Sequence, residues 1–267
     1  MADIVRLHWE DGLAARSTAS SGECVLWIHG YTMDGSIWAE LWEHLPGWRH
    51  LAVDLPGHGE SRSLRQDEDL SMFAARLGEA ALARGVRHLV GLSFGSLVTL
   101  EIAARFPDAF ERVVLAAPTY GGAPVDPDAQ RLNQALIRLF KARGAGPWMT
   151  SLWMTSPPDI FTAARNHPAL WQLLEQLVSR HRWSELSDDS MQRFNGFRHL
   201  PQSLARIRSD VLVPVGEEDM TVFRRAAQTL SRWLPRCRVS YMADAGHLCL
   251  LEQPVSAAAL IAAHLRK

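Results

Sequence analysis

His88-Leu89-Val90-Gly91-Leu92-Ser93-Phe94-Gly95 is the stretch on which the reading of this chain turns. Its first half is an apolar run of strand length. The residues from Leu97 to Phe106 have helical composition and stop before Pro107. A strand that runs through Gly-x-Ser-x-Gly into a helix forces a sharp turn at the serine. Glycines two residues to either side let neighbouring backbone approach without a Cβ in the way, and the Ser93 hydroxyl is left above the sheet edge. The same pentad also serves as a plain strand-to-helix turn, so it needs partners before it carries chemistry.

Outward from this stretch, short apolar runs alternate with helical periodicity. The runs are residues 24–29, 50–55, 88–92, 112–117, 211–215 and 238–242. Their near-continuous apolar character fits strands buried on both faces of a parallel sheet. Leu70, Phe73, Leu77 and Ala81 recur at helical spacing, with Gly85 as a stop. Thr221 is placed to cap a helix through about Trp233, and Pro254 suits the first turn of the last helix. Alternating strands and helices predict an α/β fold with a mostly parallel, doubly wound sheet. From about Thr119 to Leu204 the alternation breaks. Leu132, Ala135, Leu136, Leu139 and Phe140 mark one amphipathic helix, and Leu170, Leu173, Leu174, Leu177 and Val178 another. Between them lies the aromatic, proline-punctuated stretch 147–158. The division expected is a core of residues 1–118 and 205–267 with a helical cap, or lid, inserted at 119–204.

A serine nucleophile needs a base, and the base needs an orienting carboxylate. Among eleven histidines, His247 stands out by position: it follows the last strand in Ala243-Asp244-Ala245-Gly246-His247. Asp219 follows the penultimate strand in Val215-Gly216-Glu217-Glu218-Asp219. Ser93, Asp219 and His247 thus all fall at C-terminal strand ends, the edge where open α/β sheets place their sites. Alone, the histidine reads as a satisfied surface residue and the aspartate as a helix cap; together they read as a catalytic set. Acyl chemistry also develops negative charge on a carbonyl oxygen, which preorganised N–H groups should meet. The Phe94 N–H, just after the nucleophile, is one candidate donor. The Tyr31 N–H in His29-Gly30-Tyr31-Thr32 is the second, with His29 bracing that loop. Trp148, Met149, Trp153 and Met154 ordinarily pack a core, but in a lid above a nucleophile they would line an apolar acyl pocket.

With these segments in this order, the chain resembles the α/β-hydrolase fold superfamily over nearly its full length. The matching pieces are His29-Gly30, Asp54-Leu55-Pro56-Gly57-His58-Gly59-Glu60-Ser61, the pentad 91–95, Gly216-x-x-Asp219 and Gly246-His247. The resemblance implies the α/β-hydrolase fold, Ser93 as nucleophile, His247 as base, Asp219 as acid, and Tyr31 and Phe94 as oxyanion donors. It also implies that residues 54–61 are a structural turn, so that Asp54 and His58 are not catalytic. Epoxide hydrolases and haloalkane dehalogenases of this fold carry an aspartate at the elbow, which Ser93 argues against. One departure is Ser96, where many members have a second glycine. The implied reaction is hydrolysis of an ester, thioester or lactone with a small, largely apolar acyl part, through an acyl-enzyme. A biosynthetic cyclase or acyltransferase, a C–C bond hydrolase on the same triad, and a receptor-like member with vestigial activity stay open. An aminopeptidase would need carboxylates in the cap, where Asp126, Asp128, Asp159, Glu175, Glu185, Asp188 and Asp189 are on offer.

Composition narrows the remaining choices. The 267 residues carry 28 Lys and Arg against 29 Asp and Glu, without the basic excess of a polyanion binder. At 47% hydrophobic and 21% charged the chain is of ordinary globular type rather than disordered. The longest uncharged run, residues 144–158, contains three prolines and falls short of the roughly 18 apolar residues of a membrane span. Asp3, Arg6, Glu10 and Asp11 stand where a secretion signal would be apolar, so a cytoplasmic location is expected. Three cysteines without CxxC spacing suggest neither disulfides nor a zinc site, and no metal or other cofactor is expected. Arg62, Arg65, Asp67, Glu68 and Asp69 read as a solvated charged loop. The expected partner is a small-molecule acyl substrate, free or carrier-bound, with neither nucleic acid nor membrane, for a monomer or homodimer.

Overall fold

The structure is a computed structural model that describes residues 4–155, 160–188 and 190–266. Its frame is one sheet of eight strands: β1 (Ile4–Trp9), β2 (Leu13–Thr18), β3 (Cys24–Ile28), β4 (Arg49–Val53), β5 (Val86–Leu92), β6 (Arg112–Ala116), β7 (Asp210–Gly216) and β8 (Cys237–Met242). They lie in the order β1-β2-β4-β3-β5-β6-β7-β8. β1 and β2 pair antiparallel, β2 meets β4 antiparallel, and all pairs from β4 to β8 are parallel. The six expected strands are all present. The β1–β2 hairpin is an addition, turned at Asp11 and Gly12, both at positive φ.

The described residues also form eleven α-helices, with short 3-10 turns between elements: α1 (Ala39–Glu43), α2 (Leu70–Ala83), α3 (Phe94–Arg105), α4 (Pro127–Arg143), α5 (Pro147–Thr155), α6 (Pro168–Arg180), α7 (Ser190–Asn195), α8 (Pro201–Leu204), α9 (Thr221–Trp233), α10 (Cys249–Glu252) and α11 (Pro254–Leu265). None is long and apolar enough to cross a membrane. The central strands are buried on both faces because consecutive side chains enter different cores. From β3, Val25 and Trp27 pack with α1, α10 and α11, whereas Leu26 and Ile28 pack with α2, α3 and α9.

Between β6 and β7 the described residues form helices and no strand, α4 to α8. Pro157 and Pro158 of the proline-punctuated stretch lie outside the described residues, as do Asp159 and Asp189. Two local expectations need correcting. The cap position of α9 falls on Met220 rather than Thr221, and no side chain caps it. In the charged stretch 62–69, Arg65 and Asp67 are exposed as expected, but Arg62 and Glu68 belong to a paired network rather than a solvated loop. Glu68 is fully buried and accepts from Arg62 and Arg76, Asp11 accepts from Arg62 and Arg65, and Asp69 caps α2 through the Met72 N–H.

Candidate active site

Ser93 sits between β5 and α3 with φ 54° and ψ −117°, a backbone region that a non-glycine residue enters only under constraint. Two contacts set the constraint. A Cβ on Gly95 would stand 2.1 Å from the Ile28 carbonyl oxygen, and one on Gly91 2.5 Å from the Gly95 oxygen. Both glycines are therefore required by the close approach of β3, β5 and α3. The Ser93 N–H is tied to the Ala116 carbonyl at 2.9 Å. Ser96 does more than replace a glycine. Its hydroxyl donates to the Ser93 carbonyl at 2.5 Å and accepts from the Thr119 N–H at 3.1 Å, joining the serine turn to the chain that leaves β6.

His247 and Asp219 arrive on loops that interlock after β7 and β8. The Glu217 N–H donates to the Met242 carbonyl and the Glu218 N–H to the Ala245 carbonyl, each at 3.0 Å. His247 Nδ1 lies 3.0 Å from Asp219 Oδ1, and its Nε2 lies 2.8 Å from Ser93 Oγ. A carboxylate only accepts, so Nδ1 carries the proton and Nε2 is left to accept from the serine hydroxyl. Asp219 Oδ1 also accepts from the Met220 N–H at 2.7 Å, and both His247 and Asp219 are buried. All three predicted residues are brought within hydrogen-bond reach.

The loop after β3 approaches the same point. A Cβ on Gly30 would be 3.6 Å from Ser93 Cβ. His29 Nε2 accepts from the Leu55 N–H at 2.9 Å, so its Nδ1–H donates to the Gly30 carbonyl at 2.8 Å. Burial holds this imidazole below its usual pKa, as fits a neutral brace. Asp54, also fully buried, accepts from Arg16, the Gly35 N–H and the Glu60 N–H, which is structural work. Phe94 opens α3, so its N–H lies at the positive end of a twelve-residue helix.

Above Ser93 and His247 lies a cavity of about 390 Å³. Its roof comes from the helices between β6 and β7: Leu132 and Leu136 of α4, Trp153 of α5, and Met191 and Asn195 of α7. Among the described lining residues Asp126 is the one Asp or Glu, and there is no Lys or Arg. Of the four aromatic and methionine residues expected on this wall, Trp153 is there. Met149 and Met154 are buried in the core, Trp148 lies under the Arg143 guanidinium with its N–H on the Gly144 carbonyl, and these three do not line the cavity. Asp126 lies on the wall, but one of its carboxylate oxygens caps α4.

Three residues at the site were not singled out by sequence. Phe223 packs its ring on His247 with centroids 4.1 Å apart. Glu252, buried, accepts from the N–H groups of Gly246 and Leu248 at 2.6 and 3.2 Å, clasping the backbone on both sides of His247. Burial raises its pKa, against the lowering effect of those N–H groups. Glu185 is one carboxylate among seven in the sequence, and among the described ones it is the one that bonds the Tyr31 hydroxyl. Among the described residues one group has metal-ligand character, Glu23, His88 and Glu111. It lies at the opposite, N-terminal ends of the strands, and Arg87 pairs with both glutamates.

Comparison with known proteins agrees with this architecture. The model of the family described as "Alpha/beta hydrolase family" matches residues 25–260. The human monoacylglycerol lipase ABHD6 is 24% identical over 256 residues, covering 89% of this chain and 73% of that protein. Carboxylesterase YbfK of Bacillus subtilis is 27% identical over 237 residues, covering 85% and 75%. Among solved structures, a thermophilic esterase from Thermogutta terrifontis superposes with a TM-score of 0.78 at 23% identity, covering 99% of this chain and 98% of that one.

Proposed function

The chain belongs to the alpha/beta hydrolase family, and from that membership we propose that it is a serine hydrolase of esters, thioesters or lactones with a small, neutral, largely apolar acyl part. The observation that carries this reading is the His247 imidazole, held by Asp219 at 3.0 Å and reaching Ser93 Oγ at 2.8 Å on the floor of an apolar cavity. Ser93 Oγ attacks the acyl carbonyl carbon while His247 Nε2 takes the hydroxyl proton. Asp219 keeps the imidazole in the required tautomer and stabilises the imidazolium that forms. The N–H groups of Tyr31 and Phe94 receive the oxyanion. Collapse of the tetrahedral adduct expels the alcohol, thiol or enol, which takes the proton back from His247, and leaves an acyl-enzyme. Water, deprotonated by His247, attacks that ester and releases the acid.

Residues 119–204 act in this reading as a cap that shapes the acyl site. The absence of Lys and Arg from its described lining favours an uncharged acyl chain over one bearing a carboxylate.

The test is a series of p-nitrophenyl esters and acyl thioesters of increasing chain length, with wild type and Ser93→Ala compared. The variant is expected to lose turnover by about three or more orders of magnitude and to escape labelling by a fluorophosphonate probe. Labelling of Ser93→Ala at the wild-type rate would remove the assignment.

A further inference from the structure

The loop bearing Tyr31 is tied to the inserted helical segment at two points. The Tyr31 hydroxyl donates to Glu185 Oε1 at 2.5 Å. The indole N–H of Trp153 donates to Thr32 Oγ1 at 2.9 Å, and that hydroxyl in turn donates a hydrogen bond to the Tyr31 carbonyl at 2.7 Å. Thr32 has φ 64°. For a β-branched side chain this is an uncommon and costly conformation, which persists only where surrounding contacts enforce it. The strained residue is thus the one immediately after the N–H assigned to the oxyanion, and its enforcing bond comes from α5.

The second tie is built with equal care. Glu185 is buried, and its Oε1 also accepts from His181 Nε2 at 2.9 Å. Burial alone would raise the carboxyl pKa; the bonds from His181 and Tyr31 bring it below the ordinary value, so it stays a charged acceptor. The Tyr31 ring is enclosed edge-on by Trp153, His58, His181 and Trp183, all within 6.2 Å between centroids.

We propose that Glu185 and Trp153 are positioning residues for the Tyr31 N–H, so that the insertion completes the oxyanion site as well as roofing the cavity. The inference rests on the roles given above to Ser93 and Tyr31. Its physical content is specific. An N–H aimed at the oxyanion matters most after the carbonyl has become tetrahedral, so loosening the loop should act on kcat and spare KM. Small misplacements are enough, since a shift of about 1 Å can cost up to a hundredfold.

Steady-state hydrolysis of p-nitrophenyl butyrate by the full chain tests this. Trp153→Phe keeps an aromatic ring at the cavity wall but removes the N–H and one ring of the indole; the lost bond is expected to lower kcat about tenfold, with KM within about threefold. Glu185→Leu should do the same, whereas Glu185→Gln, which keeps an acceptor for the Tyr31 hydroxyl, should hold kcat within about threefold of wild type. Tyr31→Phe removes the same tie from the loop side and replaces Glu185→Leu where that variant does not fold. Thermal unfolding midpoints confirm that the variants compared are folded. Unchanged kcat in both Trp153→Phe and Tyr31→Phe, or losses confined to KM, overturn the proposal while Ser93→Ala remains inactive. Full turnover by Ser93→Ala overturns the functional reading and this inference with it.

Discussion

A single buried carboxylate, Glu252, holds the backbone on either side of the His247 side chain through two N–H groups. Glutamine at this place is nearly the same shape but offers one acceptor oxygen, so one of the two N–H groups would face an amide N–H₂. Leaving a buried donor unmet costs about 1–3 kcal/mol. Glu252→Gln is therefore expected to lower both the unfolding midpoint and kcat, the latter about tenfold, with KM little changed. Steady-state kinetics and a thermal melt check it; a wild-type kcat in a destabilised protein would confine Glu252 to stability. Ser96 makes the opposite case. Its hydroxyl joins the Ser93 carbonyl to the Thr119 N–H, away from the reacting atoms. Ser96→Gly should cost about 1 kcal/mol, a fall of about 2–4 °C in Tm, with turnover preserved within about threefold.

At the scale of elements, Asp219 and His247 meet because the loops after β7 and β8 touch at Gly216. A Cβ there would stand 2.1 Å from the Ala245 carbonyl oxygen and 2.2 Å from that of Gly246. Backbone cannot yield as a flexible side chain can. Gly216→Ala is expected to push the two loops apart and lower kcat/KM by about a hundredfold or more, since 1 Å of misplacement suffices. A variant that folds with wild-type kcat/KM would show that the loops are held elsewhere. The Gly216-x-x-Asp219 spacing is legible in the sequence because glycine and carboxylate share one short turn, closed by the Asp219 N–H on the Gly216 carbonyl. Strands β3 to β7 are readable for a similar reason, because burial on both faces leaves a continuous apolar run, as in 24–28, whereas β8 lies at the sheet edge with only Met242 buried and is marked by its place between two helical stretches. β1 is not readable, because five of its six residues are exposed and its composition is mixed, although Asp11-Gly12 is an ordinary hairpin signal. The helices between β6 and β7 are the least readable. Trp148, Met149, Trp153 and Met154 sit on one short helix, and only its rotation about the axis decides which faces the cavity. Glu185 could not be told from six other carboxylates, because its partners Tyr31 and His181 meet it through folding rather than spacing.

The molecule as a whole stores a response to acid in histidines that it buries neutral. His50 Nδ1 accepts from the Trp27 indole N–H at 3.1 Å, its Nε2–H donates to the Leu45 carbonyl at 2.8 Å, and Trp42 stacks on its ring. Desolvation by burial takes its pKa to about 4, and that of His264 likewise to about 4. Burial, aided by the neighbouring His181 and His29, pushes His58 well below the usual value. In the unfolded chain all three return to about 6.5. Above that pH neither state is protonated and the histidines are neutral in the balance. As pH falls from about 6.5 towards 4, the unfolded chain binds protons that the native protein refuses, so stability falls across this window; for His50 and His264 the loss levels off below it. The two together are expected to cost several kcal/mol, at about 1.4 kcal/mol per unit of displacement. Glu252 acts in the other sense, since its raised pKa lets the native state take up a proton first. One group does not offset three. Urea midpoints measured at pH 7.5, 6.5, 5.5 and 4.5 should therefore decline steadily. His50→Gln supplies an acceptor for Trp27 and a donor for Leu45 without titrating, and should flatten the decline. A midpoint that stays constant from pH 7.5 to 4.5 would mean that these imidazoles accept protons in place, and that the polar groups around them rearrange to receive the charge.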